Sequence, residues 1–174
     1  MKNKNILVLG GTGFIGINIL KFFSKFKNYK IYSTYNKRKK INISNVKWFK
    51  ADLRNPLDVQ KVFGSHYFDY VFQAAATTSG SKDIINQPYL HVTDNAIMNS
   101  VILRACYNFK IKHFIFFSCT VMYHSSQIPL LEQDFNPSKK INPKYFGVGN
   151  TKLYIEKMCE FYASISNTKF TVIR

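Results

Sequence analysis

The stretch NKNILVLGGTGFIGINIL, residues 3–20, decides the fold. Two lysines ahead of an apolar run resemble the start of a secretory leader. A leader needs an unbroken apolar core and a small-residue cleavage site. Here Gly10, Gly11 and Gly13 split the run, and Lys21 follows without such a site. The same letters read better as a strand turning through glycines into a helix. Ile6–Leu9 is aliphatic and β-branched, suited to a strand buried on both faces of a parallel sheet. Ile15, Ile19, Phe22, Phe23 and Phe26 then recur at helical spacing. Gly10, Gly13 and Gly16 stand between strand and helix at the spacing of a pyrophosphate-binding turn. Glycine there permits a tight turn, close backbone approach to phosphate and close helix–strand packing, with the helix N-terminus facing the anion.

The remaining chain supplies what that reading needs. Strands are expected at Lys30–Tyr35, Val46–Lys50, Tyr70–Gln73, His113–Phe117 and Phe170–Ile173, and helices at about 14–26, 56–63, 93–109 and 147–164. In the third helix Ile97, Val101, Ile102, Ala105 and Phe109 make one face; in the fourth, Ile155, Met158, Cys159 and Tyr162 do so. The order β-α-β-β-α-β-α-β-α-β predicts an α/β fold, a doubly wound parallel sheet with helices on both faces. With 174 residues, 46% of them hydrophobic, one domain over 1–174 is expected. Cys106, Cys119 and Cys159 show no metal-ligand spacing and are expected as reduced thiols, so no metal is assigned. No run approaches a membrane span, and a cytoplasmic protein is expected. The net charge of +16 points to anionic partners. It is dispersed apart from NKRKK at 36–40, so nucleotides come ahead of nucleic acid.

Ligands of such sheets sit beyond the carboxyl ends of the strands, so the residues after each strand carry the information. The first strand is followed by Gly10, Thr12, Gly13, Phe14, Ile15 and Gly16. After the second come Asn36, Lys37 and Arg38, with no Asp or Glu between Met1 and Lys50. A carboxylate at that place holds the ribose hydroxyls of NAD. Lys37 and Arg38 instead suit the 2′-phosphate of NADP, the alternative being a solvated basic turn. NADP(H) is therefore the preferred cofactor and NAD(H) the second. ADLRNP brings Asp52 and Leu53 after the third strand, and FQAAATTSG brings Gln73, Ala74, Ala75 and Ala76 after the fourth.

These segments resemble the extended short-chain dehydrogenase/reductases, the NAD(P)-dependent epimerase/dehydratase group acting mostly on nucleotide sugars, and the likeness runs from about Lys4 to Arg174. LVLGGTGFIG resembles the group's opening motif, ADLRNP its adenine motif and DYVFQAAA its fourth strand, with Gln73 where His is commoner. NQPYLHVTDNAIMNSVILRAC resembles the helix carrying a structural Asn, here Asn95. FIFFSCTVMY resembles the strand entering the catalytic serine segment, and IPLLEQDFNP the loop that bears Glu132. VGNTKLYIEKMCEFY resembles the catalytic helix. The resemblance implies the Rossmann fold, a nucleotide-sugar substrate, a homo-oligomer as one option, and a cofactor role for Asn95, Ser118 and Lys152.

The chain departs from that pattern at two catalytic places. Counting back from Tyr123 puts Cys119 at the Ser/Thr position, with Thr120 beside it, and a thiol is the weaker hydrogen-bond donor. The group's Tyr-x-x-x-Lys sets a phenol one helical turn before the ammonium, but the register of Thr151, Lys152 and Glu156 puts Val148 there. Tyr145 lies seven residues before Lys152, roughly 10 Å along a regular helix. Proton transfer is thus open to Cys119, Tyr123, His124 or a residue beyond Arg174. The sugar-binding continuation typical of the group is not within these residues. The sequence reads as the cofactor part of a nucleotide-sugar epimerase, dehydratase or reductase, or alternatively as a catalytically silent NADP(H)-binding regulatory or partner module.

Overall fold

The computed structural model describes residues 3–78 and 86–174. Its strands, all parallel, are β1 (Lys4–Leu9), β2 (Tyr29–Tyr35), β3 (Val46–Lys50), β4 (Tyr70–Gln73), β5 (His113–Phe117) and β6 (Lys169–Ile173), in spatial order β3-β2-β1-β4-β5-β6. The helices are α1 (Phe14–Phe23), α2 (Pro56–Gly64), α3 (Pro88–Asn108) and α4 (Phe146–Ser164). The stretch at residues 3–20 is therefore the central strand, its turn and the first helix.

Alternation along β1 divides the core, because successive side chains of a strand face opposite ways. Leu7 and Leu9 join the larger cluster with Val59 and Phe63 of α2, Ile102 and Leu103 of α3, and Ile155 and Cys159 of α4. Ile6 and Val8 turn to the other face and meet Leu20 of α1 and Ile31 of β2. Helices thus cover both faces, three on one and one on the other. Among the described residues no helix is long and apolar enough to cross a membrane.

Two expected helices differ from their expected bounds. The first helix was expected to reach 26 but ends at Phe23, where bonds from Lys25 N to Phe22 O and from Phe26 N to Phe23 O tighten the chain into turns. Phe26 then rests edge-on against Tyr29. The third helix begins at Pro88 rather than 93, proline being tolerated in a first turn, where its missing N–H has no helical partner. Of its expected apolar face, Val101, Ile102, Ala105 and Phe109 join the core and Ile97 does not. Ile97 is 44% exposed, whereas Met98, Ile102, Leu103, Ala105 and Cys106 are buried, because α3 packs on the sheet and against both α2 and α4.

Candidate active site

The strand order reverses between β1 and β4, and the glycine turn sits at that crevice. Gly10 has φ +79°, and a Cβ there would lie 2.6 Å from the backbone of Ala75. The turn after β1 and the small residues after β4 are therefore packed backbone to backbone. A Cβ on Gly16 would lie 2.3 Å from the carbonyl oxygen of Gly10, so helix α1 seats directly on the turn. Gly13, at the N-cap of α1, differs: its Cβ would meet only Gly10 O, at 3.4 Å. The two flanking glycines are closed by protein, and the middle one leaves room for a phosphate. Gly11 was not singled out from the sequence, yet its Cβ would strike Ser33 Oγ at 1.9 Å. Ser33 hydroxyl donates to Val8 O (2.8 Å), and Gly10 N donates to Thr34 Oγ1 (2.9 Å), so β2 underpins the turn. Thr12 is half-buried, while Phe14 and Ile15 are exposed at the helix start.

After β2, Asn36, Lys37 and Arg38 form an exposed bend, and neither Lys37 nor Arg38 has an ion pair among the described residues. After β3, Asp52 is gripped by Arg54. Its Oδ1 accepts from Arg54 N and Nε (both 3.0 Å) and its Oδ2 from Nη2 (2.7 Å). Arg54, with a smaller contribution from the Asn36 amide, holds the carboxyl down at about 2 against the desolvation that opposes it. Leu53 is buried in the core, so only its backbone is available to a ligand.

Gln73 and Asn95, both expected at the cofactor, are committed to the protein. Gln73 Nε2 donates to Asn99 Oδ1 (2.9 Å), and its Oε1 accepts from Ala75 N (3.2 Å). Asn95 accepts from Thr77 N (3.0 Å) and donates to Thr77 O (2.9 Å) and His91 O (2.7 Å). These buried amides hold the segment Ala74–Thr77 in the shape that faces Gly10. Of the small-residue run after β4, Ser79 and Gly80 lie outside the described residues.

Helix α4 brings the second half of the site to the end of β5. Lys152 Nζ donates to Phe117 O (2.8 Å) and lies 4.6 Å from the centre of the Phe116 ring. Burial lowers its ammonium pKa, only partly opposed by Cys119 and Glu156. Cys119 is half-buried, and desolvation raises its thiol despite the nearby Lys152. The Ser118 hydroxyl donates to Glu156 Oε1. Glu156 is 4% exposed and receives Arg174 through Nε (3.1 Å to Oε2) and Nη2 (2.6 Å). Thr120 is exposed and lines a cavity of about 630 Å³ with Tyr123, His124, Glu132 and Arg174; Lys152 is not in its wall. His124 Nδ1 is buried without a hydrogen-bond partner among the described residues. Tyr145 ends a 3-10 turn and caps α4, outside the helix proper, and Val148 is half-buried one turn before Lys152. Arg54, Asn99 and Arg174 were missed from sequence. The R of ADLRNP was the one local signal available for them.

The sequence profile of the NAD dependent epimerase/dehydratase family matches residues 6–174. UDP-glucose 4-epimerase of Halalkalibacterium halodurans is 27% identical over 171 residues, covering 97% of this chain and 49% of that protein. Among solved structures, UDP-glucose 4-epimerase of Thermus thermophilus in complex with NAD superposes with TM-score 0.83 at 21% identity, over 98% of this chain and 54% of that one. A GDP-D-glycero-L-gluco-heptose synthase of Campylobacter jejuni, solved in the presence of NADPH, gives 0.81 at 20% identity, over 99% and 47%. The two structures share the fold with this chain, and the chain spans about half the length of the curated relatives it matches. Its glycine crevice, its lysine on the last helix and its match over nearly every residue agree: the chain belongs to the NAD dependent epimerase/dehydratase family.

Proposed function

We propose that these residues form the dinucleotide-binding half of a cytoplasmic nucleotide-sugar epimerase, dehydratase or reductase that prefers NADP(H). The observation that carries this reading is the asymmetry of the glycine turn, closed by Ala75 at Gly10 and by α1 at Gly16 but open at Gly13. Backbone N–H groups from Gly10 to Gly16, with the N-terminus of α1, would hold the pyrophosphate. Lys37 and Arg38 would hold the 2′-phosphate, and Asp52 with the Leu53 backbone the adenine. Lys152, with two ammonium hydrogens left after its bond to Phe117 O, would hold the nicotinamide ribose. The bound nicotinamide supplies hydride transfer to and from the sugar carbon. The relatives are named as epimerases of UDP-sugars and as a GDP-heptose synthase, which supports a nucleotide sugar as substrate class.

A second reading, a catalytically silent cofactor-binding module, is favoured by Val148. No phenol stands one turn before Lys152, and Tyr145 caps the helix instead.

Fluorescence titration with NADPH and NADH tests the cofactor assignment. NADPH is expected to bind at least about tenfold tighter, the worth of one charge-assisted contact to phosphate. The double variant Lys37→Ala/Arg38→Ala is expected to lose that preference and keep its affinity for NADH. Equal or tighter binding of NADH by the unaltered protein defeats the 2′-phosphate assignment.

A further inference from the structure

We propose that Arg54 is a positioning residue for the adenine end of the cofactor, fixing the Asp52 carboxylate so that Oδ2 is presented to an exocyclic amino hydrogen. The proposal rests on the dinucleotide reading above. An ionised carboxylate has about four acceptor sites. Arg54 fills three of them, two on Oδ1 and one on Oδ2. What remains lies on Oδ2, and the exposed Asn36 amide is the carboxylate's further side-chain partner. An amino group arriving there takes the place of a weaker, mobile donor.

The clamp is braced from every side. Asp52 N donates to Asp58 Oδ2 (2.9 Å), and Asp52 O accepts from Asn55 N (2.9 Å), so the backbone under the carboxylate is tied at both ends. The guanidinium spends its remaining arm on α3: Nη1 donates to Asp94 Oδ2 at 2.8 Å. That same oxygen accepts from Thr77 Oγ1 at 3.2 Å, and Thr77 is the residue whose backbone Asn95 clasps. One arginine thus joins the loop after β3 to the loop after β4. Lysine has no planar fork and cannot make the same three bonds.

The chemistry of the exposed oxygen sets the specificity. An acceptor-only carboxylate welcomes the amino group of adenine and opposes the exocyclic carbonyl oxygen that hypoxanthine carries at the same position. An unmatched polar pair of this kind discriminates more sharply than a lost apolar contact. Without the guanidinium the carboxylate keeps only the backbone N–H of residue 54 on Oδ1 and the Asn36 amide, and Oδ2 loses the donor that fixes it.

The test is titration of the protein, Arg54→Met and Arg54→Lys with NADPH and with its deaminated hypoxanthine analogue. The unaltered protein is expected to prefer the adenine form by about tenfold, in keeping with one hydrogen bond to a charged group. Arg54→Met is expected to remove most of that preference while leaving the affinity for the hypoxanthine form within about twofold, because only the amino contact is lost. Arg54→Lys, which keeps the cation and the stem, is expected to fall between them, and it decides the matter if the methionine variant does not fold. Equal weakening of both ligands in the variants marks a merely structural arginine and overturns the proposal. No preference in the unaltered protein overturns it too, with the dinucleotide reading intact. Failure to bind either ligand removes that reading and this one together.

Discussion

Gly13 and Gly16 belong to one motif, yet alanine at the two positions is expected to fail in opposite ways. At Gly16, within α1, alanine gains about 1 kcal/mol of helix propensity. The new methyl would sit 2.3 Å from Gly10 O and 2.8 Å from Gly11 Cα, both backbone, so α1 must lift from the turn. Overpacking against atoms that cannot rotate away costs about 3 kcal/mol, the upper end of the usual range. The net loss is about 2 kcal/mol, a fall in Tm of about 4–8 °C for a chain of this size. At Gly13 the backbone is extended (φ −84°, ψ 166°), which alanine adopts freely, and the methyl meets nothing nearer than 3.4 Å. A poorer N-cap costs about 0.5–1 kcal/mol. Reduced freedom of the unfolded chain returns about the same amount. Stability should therefore change little. The methyl, however, stands where a pyrophosphate must approach the backbone, and dinucleotide affinity should drop at least about tenfold. Thermal unfolding without ligand and fluorescence titration with NADPH measure the two effects separately. Equal destabilisation by both substitutions, or full binding by Gly13→Ala, would refute the division of the turn into closed and open glycines.

Three other outcomes follow from the geometry. Asp52 holds its proton less readily folded, at about 2, than unfolded, so its stabilisation is complete above about pH 4 and fades as pH falls toward 2. The stability gap between the protein and Asp52→Asn in urea melts should close over that window; because the carboxylate is 34% exposed, the gap itself is small. Glu156→Ala leaves the Arg174 guanidinium, 20% exposed, without its carboxylate and should cost about 3 kcal/mol in urea unfolding, whereas Glu156→Gln should cost clearly less by keeping hydrogen bonds to Ser118 and Arg174. In a full-length protein assayed with its own sugar, Tyr145→Phe should keep most activity and Val148→Tyr should change the rate or the product; a collapse of activity in a folded Tyr145→Phe would assign the proton to Tyr145.

What the sequence disclosed depended on how far apart the interacting residues lie. The glycine turn was legible because its spacing is confined to one strand–helix junction, although the contact that closes Gly10 comes from the distant Ala75. The strand ends were legible for a related reason, since alternation of apolar runs and helical faces places each strand's carboxyl end without knowledge of any partner. The helix faces were less so. Ile97 looked like core by spacing, but a helix wedged between two others buries an arc that periodicity alone cannot orient. The pairings that escaped notice run across long stretches of chain. Arg54 meets Asp94 40 residues away, Gln73 meets Asn99 26 away, and Glu156 meets Ser118 38 away. Each of these could have been a solvated polar residue in sequence, and only the packed sheet decides otherwise.

The long-range contacts also change the meaning of the resemblance. Gln73, Asn95 and Ser118 were expected to touch the cofactor, yet each spends its polar atoms on protein: Gln73 and Asn95 on the loop after β4, Ser118 on Glu156. Gln73 and Asn95 thereby fix the shape of the loop after β4. A loop held by buried amides keeps Ala75 against Gly10, and only with that contact made is Gly13 left as the open position of the turn. The same logic extends to α4. Glu156 ties that helix to Ser118 at the end of β5 and to Arg174 at the end of β6, and one turn earlier Lys152 reaches Phe117 O. The lysine therefore sits one turn from a buried ion pair that ties the helix to the ends of β5 and β6. Loss of Glu156 should thus move the ammonium as well as loosen the fold, and Val148, on the same side of the helix, is placed by the same anchor. A phenol introduced at 148 would inherit that placement, one turn before Lys152.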